Sequence, residues 1–98
     1  MKRPLRITPE ARNDVAAAID WFREQSPGLP DRFRVALEDA YLAISQHPEM
    51  HPLVYKSFRR ALLRHFPYSV FYIVLETVVV VIGVVHQAQD PSTWQRRT

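Results

Sequence analysis

The stretch from Val70 to Val85 is apolar almost without interruption, and it contains five consecutive β-branched residues, Val78-Val79-Val80-Val81-Ile82. Side chains of that kind are stiff at χ1 and suit a pleated, packed surface better than a helix. Glu76 and Thr77 cut the run into halves of six to eight residues. A membrane-spanning helix needs about 20 apolar residues without a central charge, so the run is no membrane anchor. It reads as a buried hairpin, Tyr68 to Leu75 and Val78 to His86, turning at Glu76-Thr77. That turn lacks the Asn-Gly or Asp-Gly signature, which leaves open a loop longer by a residue on either side. Both strands are apolar on both faces, as strands covered on both sides are. Left bare, they would be an aggregation template, so a helical layer has to cover them. Gly83 inside the second strand predicts a bulge or a close backbone approach.

The first half of the chain supplies that layer. Leu5-Arg6-Ile7 alternates as a short strand does, and Thr8-Pro9-Glu10 carries the cap, the N1 proline and the first-turn acid of a helix start. Ala11, Val15, Ala18, Ile19 and Phe22 then recur at spacings of three and four, with Asp14, Asp20, Arg23 and Glu24 off the stripe. Ser26-Pro27-Gly28-Leu29-Pro30 breaks the helix. A second stripe, Phe33, Leu37, Ala40, Tyr41 and Ile44, runs to His47-Pro48, where the proline disfavours helix in the residue before it. Two helices joined by a short turn make an αα-hairpin. After a connector, His47 to Pro52, the segment Phe58 to Phe66 reads as an Arg-bearing strand ending at Pro67. Helices and strands are segregated, which predicts an α+β fold: an N-terminal strand and an αα-hairpin packed on an antiparallel sheet of about four strands, with the first strand at or near the centre.

A chain of 98 residues with 47% hydrophobic and 23% charged residues fits one domain, residues 1–98. At that length roughly 65% of the unfolded surface is buried, enough for one core without staples. The absence of cysteine excludes a disulfide scaffold and a zinc ribbon and suits a reducing compartment. Two glycines leave no room for a glycine-rich phosphate loop. The start, Met1-Lys2-Arg3-Pro4-Leu5-Arg6, has the charge of a signal peptide without the apolar stretch, so a cytoplasmic location is expected. Residues 1–50 hold seven cations and eight anions; residues 51–98 hold six cations and two anions. Only Lys2 and Lys56 are lysines, and arginine is the residue suited to bidentate contact with phosphate or carboxylate. A basic second half suits an acidic protein or a nucleic acid as partner, or serves no purpose beyond solubility.

Four stretches carry a resemblance that covers nearly the whole chain. They are Leu5-Arg6-Ile7-Thr8-Pro9-Glu10-Ala11; Pro30-Asp31-Arg32-Phe33 through Ala36-Leu37 to His47-Pro48; Phe58-Arg59-Arg60-Ala61-Leu62-Leu63-Arg64-His65-Phe66-Pro67-Tyr68-Ser69-Val70-Phe71-Tyr72; and Val84-Val85-His86 followed by Asp90-Pro91, Trp94 and Arg97. In this order the chain resembles the RelE/ParE superfamily of toxins of type II toxin–antitoxin systems, most closely the ParE-like branch often called plasmid stabilisation proteins. The resemblance implies a toxin that inhibits DNA gyrase by binding, without being an enzyme itself. It also implies a cognate ParD-like antitoxin, acidic and partly disordered when free, and no cofactor. The alternatives within the superfamily are a RelE-like, ribosome-dependent mRNA endonuclease and a toxin that retains only antitoxin binding. Many relatives place arginine between the histidine and the Asp-Pro, where this chain has Gln87-Ala88-Gln89.

The candidate target- or antitoxin-binding residues are Arg59, Arg60, Arg64, His86, Trp94 and Arg97. Alternation places Arg60 and Arg64 on one strand face and Arg59 on the other; they form either a basic patch or a solvated edge that discourages pairing. His86 is either a general base, should the chain be an endonuclease, or a structural histidine holding the tail. No other catalytic residue is assigned. Trp94, with Arg96 and Arg97, either stacks on a base or tucks onto the sheet. Trp21 reads as packing, or as part of an interface if it lies at the rim of its stripe. His47 and His51 are four apart, but Pro48 and Pro52 preclude the helix that would bring them together, so no metal site is expected.

Overall fold

A computed structural model describes residues 3–97. Strand β1 (Leu5–Ile7) leads straight into helix α1 (Pro9–Gln25). The Thr8 hydroxyl accepts from the Ala11 amide at 3.2 Å, satisfying one of the donors that a helix start leaves free, and Pro9 occupies the first turn. Helix α2 (Leu29–Gln46) again has proline in its first turn and stops at His47, before Pro48. Strands β2 (Leu53–Tyr55), β3 (Phe58–Leu62), β4 (Tyr68–Val74) and β5 (Val79–His86) follow, and a single turn of helix, α3 (Ser92–Gln95), closes the chain.

The sheet order is β1-β5-β4-β3-β2. The expectation of an α+β fold with a helical hairpin on a mostly antiparallel sheet holds, with three corrections. The sheet has five strands, because Leu53–Tyr55 pairs with β3 at the far edge. The first strand is at the other edge, not the centre, and runs parallel to β5. This follows from the two-helix crossover, which returns the chain to the sheet on a distant strand. Finally, β3 ends at Leu62, four residues before the predicted end. The chain then turns a corner in which His65 takes a left-handed φ of 68°. The β4–β5 turn opens beyond Glu76-Thr77, and the Leu75 amide donates to the Val78 carbonyl at 2.9 Å.

Two cores form, one on each face. Between helices and sheet lie Phe22, Phe33, Ile44, Val70, Tyr72, Val79, Val81 and Val84. Phe22, Phe33, Phe66 and Tyr68 meet there with ring centroids 5.1–5.8 Å apart, in the tilted and edge-to-face range that aromatic rings prefer. On the opposite face Phe58, Phe71, Ile82 and Val85 are covered by Trp94. Both strands of the hairpin are therefore covered on both sides, as their composition requires. A register shift opposite Phe71/Tyr72 puts the bulge next to Gly83. Among the described residues no helix is long and apolar enough to cross a membrane.

Candidate functional site

The three arginines of the third stretch lie on three surfaces. Arg59 pairs with Tyr72 in the ladder and shares its helix-side face. Its guanidinium donates to the carbonyls of Glu49 (3.2 Å) and His51 (2.7 Å), bracing the α2–β2 connector. Burial, and then the Arg59 charge, push the His51 pKa below its ordinary 6.5. Arg60 pairs with Phe71 and belongs to the opposite, open face, where it is exposed and has no ion-pair partner among the described residues. Arg64 lies beyond the end of β3, in the corner before β4, so the reading that put it on one strand face with Arg60 is corrected. It lines a groove of about 780 Å³ beside α2, together with Leu29, Arg32, Val35 and Phe66. Val35 is exposed there although it is apolar.

His86 ends β5 on the helix side. Its Nδ1 accepts from the Ala88 amide at 3.0 Å, and its ring meets Tyr68 edge-on at 5.2 Å. In the neutral ring an accepting Nδ1 places the proton on Nε2. With Asp14, Trp21, Tyr68 and Gln89 it borders a shallow recess of about 230 Å³. Trp21 is 55% exposed, at the rim of its stripe. Gln87, Ala88 and Gln89 form an exposed turn, so no cation joins His86 from that side.

Trp94 is buried, stacked on Phe71 with centroids 3.8 Å apart and planes 15° apart. Of its two readings, the structure has the ring tucked onto the sheet. Arg97 forks onto the carboxylate of Asp14 in α1, Nη2 to Oδ1 at 3.1 Å, and Nη1 also donates to the Ile82 carbonyl at 3.1 Å. Spacing puts Asp14 off the apolar stripe of α1 and does not reveal this role. Its partners lie 70 and 83 positions away, and the sole hint in the sequence was Gly83 within an apolar strand. A Cβ there would stand 3.0 Å from the Arg97 Nη1. Among the described residues no group of three or more His, Asp or Glu side chains is placed to hold a metal ion.

A small α+β chain, with a helical hairpin over one sheet face and a tryptophan-bearing tail over the other, has the architecture of a bacterial toxin of the toxin–antitoxin class. The family model described as the ParE toxin of type II toxin–antitoxin system, parDE, matches residues 5–91. The chain belongs to that family. Toxin ParE2 of Mycobacterium tuberculosis is 27% identical over 93 residues, which span 94% of this chain and 89% of that protein. Two solved structures share the fold. A chain of the chromosomal ParDE system from P. aeruginosa aligns with a TM-score of 0.77 at 16% identity, over 87% of this chain and 96% of its own. A chain of the toxin–antitoxin complex RelBE2 from Mycobacterium tuberculosis aligns at 0.57 and 22%, over 88% and 99%.

Proposed function

We propose that this toxin inhibits DNA gyrase by binding, and that a cognate ParD-like antitoxin, acidic and partly disordered when free, neutralises it. The observation that carries the reading is the dispersal of its candidate residues. Cleavage of RNA needs a base, an acid and phosphate-stabilising cations around one bond. Here Arg60 is on the open face and Arg64 beside α2, both away from His86; Arg97, near the His86 recess, is committed to Asp14, which lines that recess. Dispersed cations suit extended surfaces that meet proteins. The groove beside Arg64 is apolar at Leu29, Val35 and Phe66 and carries both signs of charge, Arg32 and Arg64 with Asp31 and Asp39, which suits an amphipathic segment whose acidic residues meet the two arginines. The open face around Arg60 is then the surface left for the target. One solved relative of the fold is described as part of the toxin–antitoxin complex RelBE2 and the other as part of a ParDE TA system, which supports the antitoxin half of the proposal.

The test is supercoiling and DNA cleavage by purified gyrase with toxin titrated in and antitoxin absent. Inhibition with accumulating cleaved DNA is the expected result. Toxicity in a growth test without any effect on gyrase would transfer the proposal to ribosome-dependent mRNA cleavage. Neither effect would leave a toxin that retains antitoxin binding alone, as the missing cation at Gln87-Ala88-Gln89 would then explain.

A further inference from the structure

Strand β1 covers the edge of β5 only from Val79 to Val81, while β5 continues to His86. Backbone groups beyond that point need partners, since an unpaired strand edge buried from water is costly. Two side chains supply them. The Asp14 carboxylate accepts from the Val84 amide at 3.0 Å, and the Arg97 guanidinium donates to the Ile82 carbonyl at 3.1 Å, while the two side chains also grip each other. Their exposures are 19% and 17%. The tail thus passes from the open face, where Trp94 lies on Phe71, around the β5 edge to α1 on the helix face.

Within residues 87–97 Trp94 is the one buried residue, and α3 is a single turn. The hydrogen bonds of Arg96 stay within the segment, to Ser92. Beyond the turn that follows β5, two side chains therefore fasten the tail: Trp94 and Arg97. We propose that residues 88–97 form a strap, latched by the Asp14–Arg97 pair at the Gly83 bulge, that opens without unfolding of the rest of the molecule. Segments held by few buried contacts are those that open at free energies below the global one. Opening uncovers Phe58, Phe71, Ile82 and Val85, an apolar strip beside Arg60. The latch itself is a partly buried ion pair, so loss of one partner leaves the other without its counter-charge.

Hydrogen exchange followed by mass spectrometry on the full chain tests this with two variants. Asp14→Asn keeps an oxygen for the Val84 amide and removes the charge that holds Arg97. Gly83→Ala leaves both charges and sets a Cβ against the guanidinium, whose flexible end has to move. In the parent, amides of residues 88–97 should exchange faster than those of β4 and β5 and with little dependence on denaturant, and in both variants they should exchange at least tenfold faster again. In a Trp21→Phe background the fluorescence of Trp94 should become accessible to acrylamide in the same variants. Unchanged tail protection would overturn the latch, since Trp94 alone would then suffice. Tail amides that exchange in the parent at the rate and denaturant dependence of the β4 and β5 amides would overturn the strap, since the tail would then belong to the cooperative core.

Discussion

Arg59 shows how one side chain fixes a neighbourhood that its spacing alone did not reveal. Its guanidinium holds the carbonyls of Glu49 and His51, and the Tyr72 hydroxyl, its ladder partner, donates to the Pro48 carbonyl at 2.7 Å. Burial raises the Tyr72 pKa to about 12, so the hydroxyl stays a donor throughout the usual pH range. Together they tie a proline-punctuated connector to the sheet. The cost falls on His51, whose Nε2 is buried without a partner among the described residues and whose charged form is disfavoured first by burial and then by Arg59. The pH dependence follows from the direction of that shift. Below 6.5 the unfolded chain binds a proton at this residue that the native protein does not bind until the pH reaches its lower folded pKa, so stability falls as pH drops through that window. The drop in melting temperature between pH 7.5 and pH 5 should be smaller in His51→Gln than in the parent. An equal drop would assign the acid sensitivity to other groups.

At the scale of the element, the ends of α1 were legible and the edges of the sheet were not. Thr8-Pro9-Glu10 announces a helix by chemistry local to three residues, and the hydroxyl bond to Ala11 is there. Thr8→Ala should lower stability by about 1 kcal/mol in urea denaturation, the usual cost of a lost N-cap, with no change in m-value. A loss near zero would mean that the parallel pairing of β1, which adjoins the cap, fixes the helix start unaided. Both stripes and the apolar hairpin were equally readable, because periods of 3.6 and continuous β-branched runs are properties of the chain itself. Leu53–Tyr55 was missed because a three-residue edge strand between Pro52 and Lys56 has no pattern of its own; it is defined by Arg59 and Phe58 across the ladder. The position of β1 was misjudged for a similar reason, since the neighbour of a strand is decided by the crossover. The end of β3 was overrun because the left-handed corner at His65 bears no glycine to signal it.

Across the whole molecule, the basic excess of the second half is divided between faces that no single partner surface would meet flat on. The helix-side groove takes Arg64, the open sheet face takes Arg60, and Arg59 and Arg97 are committed to the protein's own carbonyls and to Asp14. The sequence supplied the right inventory of cations, yet strand alternation joined Arg60 to Arg64 across a corner where alternation had already stopped. Separation on the fold makes the two activities of the proposed function separable by mutation. Arg60→Glu should weaken gyrase inhibition by tenfold or more, a loss of about 1.4 kcal/mol, while leaving antitoxin affinity within twofold. Arg64→Glu should do the reverse, because an acidic partner in the groove meets a repelling charge instead of an attracting one. Both positions are exposed, so neither reversal should unfold the chain, and unchanged melting temperatures in the same samples would confirm that. Equal effects of both substitutions on one partner would mean that partner wraps around the edge of the sheet to reach both faces. Toxin inhibition and antitoxin capture would then compete for a continuous surface, and the division into two faces would be wrong.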